Sequence, residues 1–153
     1  MIAERPLGMY TAKVDDKGRV KLPTDFQQYF SQLGHAKFFI TSLDRCIAEI
    51  YPITVWLQNE EFFASYREDP EKADSVAFNA ADLGGRADID AQGRLLFPAK
   101  LRSELGLEDQ PIHIFAADQR VEVLSEQVYQ EKKRSAKAAG RDAVATLRKA
   151  GLK

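Results

Sequence analysis

Residues 15–23 read Asp15-Asp16-Lys17-Gly18-Arg19-Val20-Lys21-Leu22-Pro23, and residues 90–98 read Asp90-Ala91-Gln92-Gly93-Arg94-Leu95-Leu96-Phe97-Pro98. Asp, Gly, Arg and Pro recur at one offset of 75 residues, with an apolar residue before each proline. Phe26 and Phe30 match Leu101 and Leu105 at the same offset. A second block repeats at an offset of 73, where Glu49-Ile50-Tyr51 matches Glu122-Val123-Leu124 and Trp56 matches Tyr129. A repeat of this kind governs the fold, because one supersecondary unit is then used twice. The shift from 75 to 73 places a connection two residues shorter in the second copy.

Working outward, 9–14 and 84–89 are strand candidates leading into the motif. Asp-x-x-Gly-Arg is turn chemistry: glycine accepts positive φ, and aspartate bonds nearby backbone N–H groups. Val20–Leu22 and Leu95–Phe97 are return strands. Thr24 is expected to cap a helix with Gln27 as its capping-box partner. Phe26, Tyr29, Phe30 and Leu33 have helical spacing, and Gly34 ends the helix. The second helix runs from Pro98 to Gly106 without a capping side chain. Strands follow at 38–41 and 112–116, and again at 46–51 and 120–124. A helix over 54–68, a break at Asp69-Pro70 and a helix near 71–82 link the copies. The C-terminal segment 125–153 carries eight basic and three acidic residues, a net of +5, and starts as a helix that Gly140 and Gly151 weaken.

Whole-chain values exclude more than they identify. The 153 residues fit one ordinary globular domain or two small ones side by side, and 22 Lys+Arg against 23 Asp+Glu leave a net charge of −1. Cys46 is the single cysteine, so neither an intrachain disulfide nor a cysteine-based zinc site can form; it reads as a small buried hydrophobe. Met1–Pro6 has no apolar signal region, and no apolar run is long enough for a membrane span. A cytoplasmic protein is the default expectation. No HExxH, Gly-x-Ser-x-Gly elbow or Walker loop occurs, and the aspartates of the motifs lie beside arginine without a histidine or cysteine partner. His113 reads as a core or surface histidine. No catalytic residue, metal ligand, cofactor or small-molecule substrate is expected.

The repeated loop is the better site. Segment 9–23 has a net of +2, with Lys13, Lys17, Arg19 and Lys21 at alternating positions that share a strand face. Segment 84–100 has a net of +1, with Arg86, Arg94 and Lys100. A solvated hairpin face would give the same composition. The duplication favours two equivalent tips with one task. Arginine at such a tip reaches a guanine edge or a phosphate in bidentate fashion.

With its twice-occurring Asp-x-x-x-Arg (Asp15…Arg19 and Asp90…Arg94), each followed by proline, and its Tyr51-Pro52…Trp56 step, the sequence resembles the MraZ family over about residues 8–130. That family comprises bacterial transcriptional regulators associated with the division and cell-wall gene cluster, and both copies resemble the AbrB-type swapped-hairpin domain. The resemblance implies an α+β fold in which two pseudo-symmetric AbrB-like swapped-hairpin repeats form one barrel-like core with flanking helices. It implies an N-terminal extension (1–7), repeat 1 (8–54), a helical linker (55–83), repeat 2 (84–127) and a C-terminal helix with a basic tail (128–153).

It further implies a ring-like homo-oligomer on double-stranded DNA. The ring would bind direct repeats in the promoter of its own operon, usually as a repressor, in the cytoplasm and at the nucleoid. By position, Arg19 and Arg94 become the principal DNA contacts, flanked by Lys13 and Lys17, with Lys21 and Arg86 as additional cations. Asp15, Gly18, Asp90 and Gly93 become loop supports. Leu7 stands before Gly8 where the family often has arginine. Ring contacts could come from the exposed faces of helix 54–68 and of the C-terminal helix. An AbrB-like antitoxin that binds a toxin through its tail is the alternative, and a scaffold whose repeat merely builds a pseudo-symmetric core is another.

Overall fold

The computed structural model describes residues 4–153, so the first three residues of the expected extension lie outside it. The elements run β1 (Tyr10–Ala12), β2 (Arg19–Lys21), α1 (Thr24–Gln32), β3 (Lys37–Thr41), β4 (Ala48–Pro52), α2 (Ile53–Ser65) and α3 (Pro70–Leu83). They continue as β5 (Gly85–Asp88), β6 (Arg94–Leu96), α4 (Ala99–Leu105), β7 (Ile112–Ala117), β8 (Arg120–Leu124) and α5 (Glu126–Ala150). The fold is α+β with antiparallel pairing throughout the described residues.

The two halves are stitched through each other. The large sheet has the order β1-β7-β8-β4-β3-β5, while β2 pairs only with β6. The first strand of each half thus joins a hairpin of the other: Tyr10 lies opposite Ile114, and Gly85 opposite Ile40. Two pairs sit where the halves meet as equals, Val20 opposite Leu95 and Glu49 opposite Glu122. Each joins residues related by the sequence offset, so a pseudo-two-fold axis passes through both.

The sheet does not close into a barrel, which corrects that expectation. Strands β1 and β5 are its two free edges, because β2 and β6 pair with each other instead of bridging them. The β2–β6 ribbon turns Val20 and Leu95 into the main core beside Phe26 and Phe30 of α1, Leu101 and Leu105 of α4, and Phe38 and Ile50 of the sheet. A second apolar cluster holds Trp56 and Ala80, with Phe39 and Val55 packed against it. Trp56 is buried and stacks on Phe39 at 4.6 Å between ring centroids.

Local chemistry accounts for most element ends, with three corrections. Thr24 is not a cap: Pro23 holds that position without a side-chain bond, and its carbonyl accepts from Phe26 and Gln27 N–H at 2.9 and 3.1 Å. The helix therefore starts one residue earlier than expected, and Gln27 Nε2 donates to Leu22 O at 2.7 Å instead of closing a capping box. Cys46 is exposed rather than buried, because β4 begins two residues later, at Ala48. Gly140 does not interrupt α5, which runs to Ala150 and ends at Gly151 in a positive-φ conformation. As expected, Asp69-Pro70 punctuates the linker; Asp69 caps α3 by accepting from Lys72 N–H at 3.1 Å.

Candidate nucleic-acid interface

The outward face of the β2–β6 ribbon is built by register. Val20 and Leu95 point into the core, so their neighbours must point away. Arg19 faces Leu96 across the ribbon, and Lys21 faces Arg94. Three cations and one half-exposed leucine therefore share a surface about two residues wide. Like charges directly opposite one another destabilise an antiparallel pair. The Lys21–Arg94 pair is thus a place where an anion would stabilise the ribbon.

Each arginine is held by its own loop. Asp15 Oδ1 accepts from the N–H groups of Lys17 and Arg19 at 2.9 and 2.8 Å, and Oδ2 accepts from Arg19 Nε at 2.8 Å. Asp90 repeats this with Gln92 and Arg94 N–H at 2.9 Å each and Arg94 Nε at 2.8 Å. These donors hold both carboxyls below the usual aspartate range, the backbone N–H of the arginine being the largest cause in each loop. Gly18 and Gly93 have φ of 84° and 79°, which suits glycine. Their N–H groups donate to Asp15 O and Asp90 O at 3.0 Å each.

Both guanidiniums are engaged through Nε. No hydrogen bond among the described residues uses an Nη of Arg19 or Arg94. The two Nη groups of each are therefore free to donate together to a planar acceptor pair.

The ribbon is closed between the halves by Leu22 N–H to Gly93 O and Phe97 N–H to Gly18 O, both at 3.0 Å. Two supports were missed from the sequence. Gln27 lies over Gly93, and the Arg102 guanidinium lies over Gly18, each leaving no room for a Cβ. They are themselves 75 residues apart, and that offset was the available signal. Arg102 also donates to Phe97 O at 3.0 Å and pairs with Glu108.

The other expected contacts are placed differently. Lys17 is exposed at the tip of the first loop, and Lys13 is exposed just after β1. Their counterparts in the second half are Gln92 and Asp88, so the two tips are unequal in charge. Arg86 is not brought to the ribbon. It lies opposite Phe39 on edge strand β5, on the sheet face that carries α2, while its neighbour Ala87 points into the main core.

Electrostatics elsewhere are structural. Glu49 and Glu122 meet across β4 and β8, and Arg120 lies 2.6 and 2.8 Å from their carboxylates. Burial pushes the Glu49 carboxyl up, against the pull of Arg120. His113 Nε2 lies 2.8 Å from Glu126 Oε2 and stacks on Tyr129 at 3.7 Å, fixing the start of α5 to the sheet. Among the described residues no group of acidic, histidine and cysteine side chains is arranged to hold a metal ion, and no helix is long and apolar enough to cross a membrane.

The family described as "MraZ protein, putative antitoxin-like" matches residues 85–149. The transcriptional regulator MraZ of Acidobacterium capsulatum is 31% identical over 124 residues, covering 81% of this chain and 84% of that protein. That of Caldanaerobacter subterraneus subsp. tengcongensis is 34% identical over 132 residues, covering 84% and 87%. That of a Thermoanaerobacter species is 36% identical over 129 residues, covering 82% and 84%. These are the names of regulators rather than of enzymes. At 31–36% identity these similarities cover more than four fifths of this chain and of each relative, and so the chain belongs to the MraZ family.

Proposed function

We propose that this protein is a DNA-binding transcriptional regulator that reads duplex DNA with the outward face of the β2–β6 ribbon. The observation that carries the reading is the pair Arg19 and Arg94. They are related by a pseudo-two-fold axis and clamped at Nε by Asp15 and Asp90, and among the described residues no hydrogen bond occupies their Nη groups. A two-stranded ribbon fits the major groove, where arginine takes guanine O6 and N7 in a bidentate pair. Preorganisation by the aspartates lowers the ordering cost of such a contact. Lys21, Lys17 and Lys13 supply phosphate contacts, which position the ribbon without reading sequence. Arg86 lies on another face and takes no part in this contact.

In this reading the strand exchange between halves is a swapped-hairpin arrangement of two AbrB-like repeats, residues 8–54 and 84–127. The linker 55–83 joins them, and α5 is an appended arm. One ribbon offers few cations, so specific binding needs several copies. A ring-like homo-oligomer on promoter direct repeats makes each later contact intramolecular and raises avidity by roughly 10²–10⁴. The operon controlled is its own division and cell-wall cluster, repressed at the nucleoid in the cytoplasm. A gel shift on the upstream region of its own gene, against an unrelated duplex of equal length, tests the proposal. Preferential retardation of the upstream duplex supports it; equal or absent retardation of both overturns it.

A further inference from the structure

Among the described residues, helix α5 is anchored to the rest of its chain through its first turn, at Ser125, Glu126 and Tyr129. None of its residues is buried. From Glu131 onward it extends about 30 Å as an isolated helix, at 1.5 Å per residue. Its residues are nevertheless sorted. Ala136, Gly140, Val144 and Leu147 form one row at helical spacing, with Lys133 within that row and Lys137, Arg141 and Arg148 along one side of it. Glu131 and Asp142 lie on the opposite side. Val144 and Leu147 are 40% and 54% exposed. Glycine inside a helix is unfavourable relative to alanine, and nothing stands within 4 Å of a Cβ placed on Gly140. Its own chain therefore gives no reason for a glycine there.

The complementary surface is the outer face of α2 and α3. Leu57, Glu61, Ala64 and Glu68 form the outward row of α2 and the turn after it, and Glu71, Asp74 and Phe78 that of α3. Leu57 is 50% exposed and Phe78 66%. Residues 53–83 carry seven acidic and two basic side chains, a net of −5, whereas α5 carries +4. Each surface thus pairs large exposed apolar side chains with charge of the opposite sign to the other.

We propose that α5 of one copy lies on the outer face of the α2–α3 helical pair of a second copy, with Gly140 at the closest approach. The inference deepens the self-association proposed above and rests on it. The two surfaces differ, so the contact is head-to-tail and every copy both gives and receives a helix. Closure of that chain of contacts makes a ring, and the attraction between the charged rows weakens as salt rises.

Sedimentation velocity of the full chain without DNA tests this. Wild type sediments as an assembly that dissociates on raising salt. Gly140→Leu raises helix propensity and Phe78→Arg changes an exposed side chain, so both keep the circular dichroism spectrum of wild type yet sediment as monomers. Mixed in equal amounts, the two variants form a one-to-one heterodimer, because one retains the acceptor face and the other the donor helix. A monomeric wild type overturns this inference together with the self-association reading. An assembled wild type whose variants also assemble, or a mixture that stays monomeric, overturns this inference alone. If Lys137→Glu with Arg141→Glu weakens DNA binding while assembly is unchanged, α5 is a DNA arm and the proposed contact is wrong.

Discussion

Gln27 and Arg102 occupy equivalent places in the two halves, and each covers the loop glycine of the other: a Cβ on Gly93 would stand 2.2 Å from the Gln27 amide, and one on Gly18 would stand 2.5 Å from the Arg102 guanidinium. The loops that carry Arg19 and Arg94 are thus held from both sides. Their own aspartates hold them from within, and the opposite half holds them from above.

Gly93→Ala is expected to lose about 1–2 kcal/mol of stability, from the left-handed backbone alone, plus the cost of moving Gln27. Denaturant unfolding of Gly93→Ala and of Gly93→Ala with Gln27→Ala measures the two parts. The double variant should recover part of the loss, showing coupling between residues in contact. Equal losses in single and double variants would mean that Gln27 does not press on the loop.

This contact also marks how far the sequence could be read. The duplicated frame was legible, because a turn glycine, its aspartate and its arginine must keep fixed spacing to make their bonds. The order of strands, the helices of the linker and the Asp–Arg pairing followed from that local chemistry. What crosses between the halves was not legible: Gln27 read as a capping-box residue because its local role looks the same, and only the packing of α1 against the second loop decides between them. The open sheet was missed for the same reason, since closure depends on whether β2 meets β1 or β6. Arg86 looked like part of the cationic hairpin, but a period of two also puts it on the far face of the sheet.

The two loop aspartates should titrate below a normal aspartate. Their folded values are depressed, so the stability they contribute is present above the unfolded value and is lost as pH falls through the folded one. Carboxyl chemical shifts of Asp15 and Asp90 followed between pH 6 and pH 2 report this directly. Titration at or above an ordinary aspartate value would show that the N–H cradle is not formed in solution.

Arg120 neutralises two glutamates that the sheet places opposite each other. Arg120→Leu is expected to cost about 2 kcal/mol at neutral pH, less than for a fully buried pair because Arg120 is partly exposed. Glu49 has a raised folded value, so the native state gains protons as pH falls into the window above the unfolded glutamate value. Protonation then relieves the uncompensated pair, and the loss should shrink between pH 7 and pH 5. A loss independent of pH would place the effect in packing rather than charge.

Ser125 caps α5, accepting from Val128 N–H at 3.2 Å. Ser125→Ala is expected to cost about 1 kcal/mol and to raise proteolysis within 126–150, read by denaturant unfolding and limited digestion. Unchanged digestion would mean that the contacts of His113 with Glu126 and Tyr129 anchor the helix without the cap.

The proposed interface divides its cations: Arg19 and Arg94 read bases while Lys17 and Lys21 contact phosphate. Titration of wild type, Arg19→Ala, Arg94→Ala and Lys17→Ala against the upstream duplex and an unrelated duplex across a salt series separates the two roles. Either arginine variant should lose roughly five- to 150-fold in preference for the upstream duplex, each bidentate pair being worth about 1–3 kcal/mol of discrimination, with melting temperature unchanged. Lys17→Ala should weaken both duplexes alike and reduce the salt slope by about one. Arginine variants that keep the full preference of wild type would mean that neither Arg19 nor Arg94 reads bases.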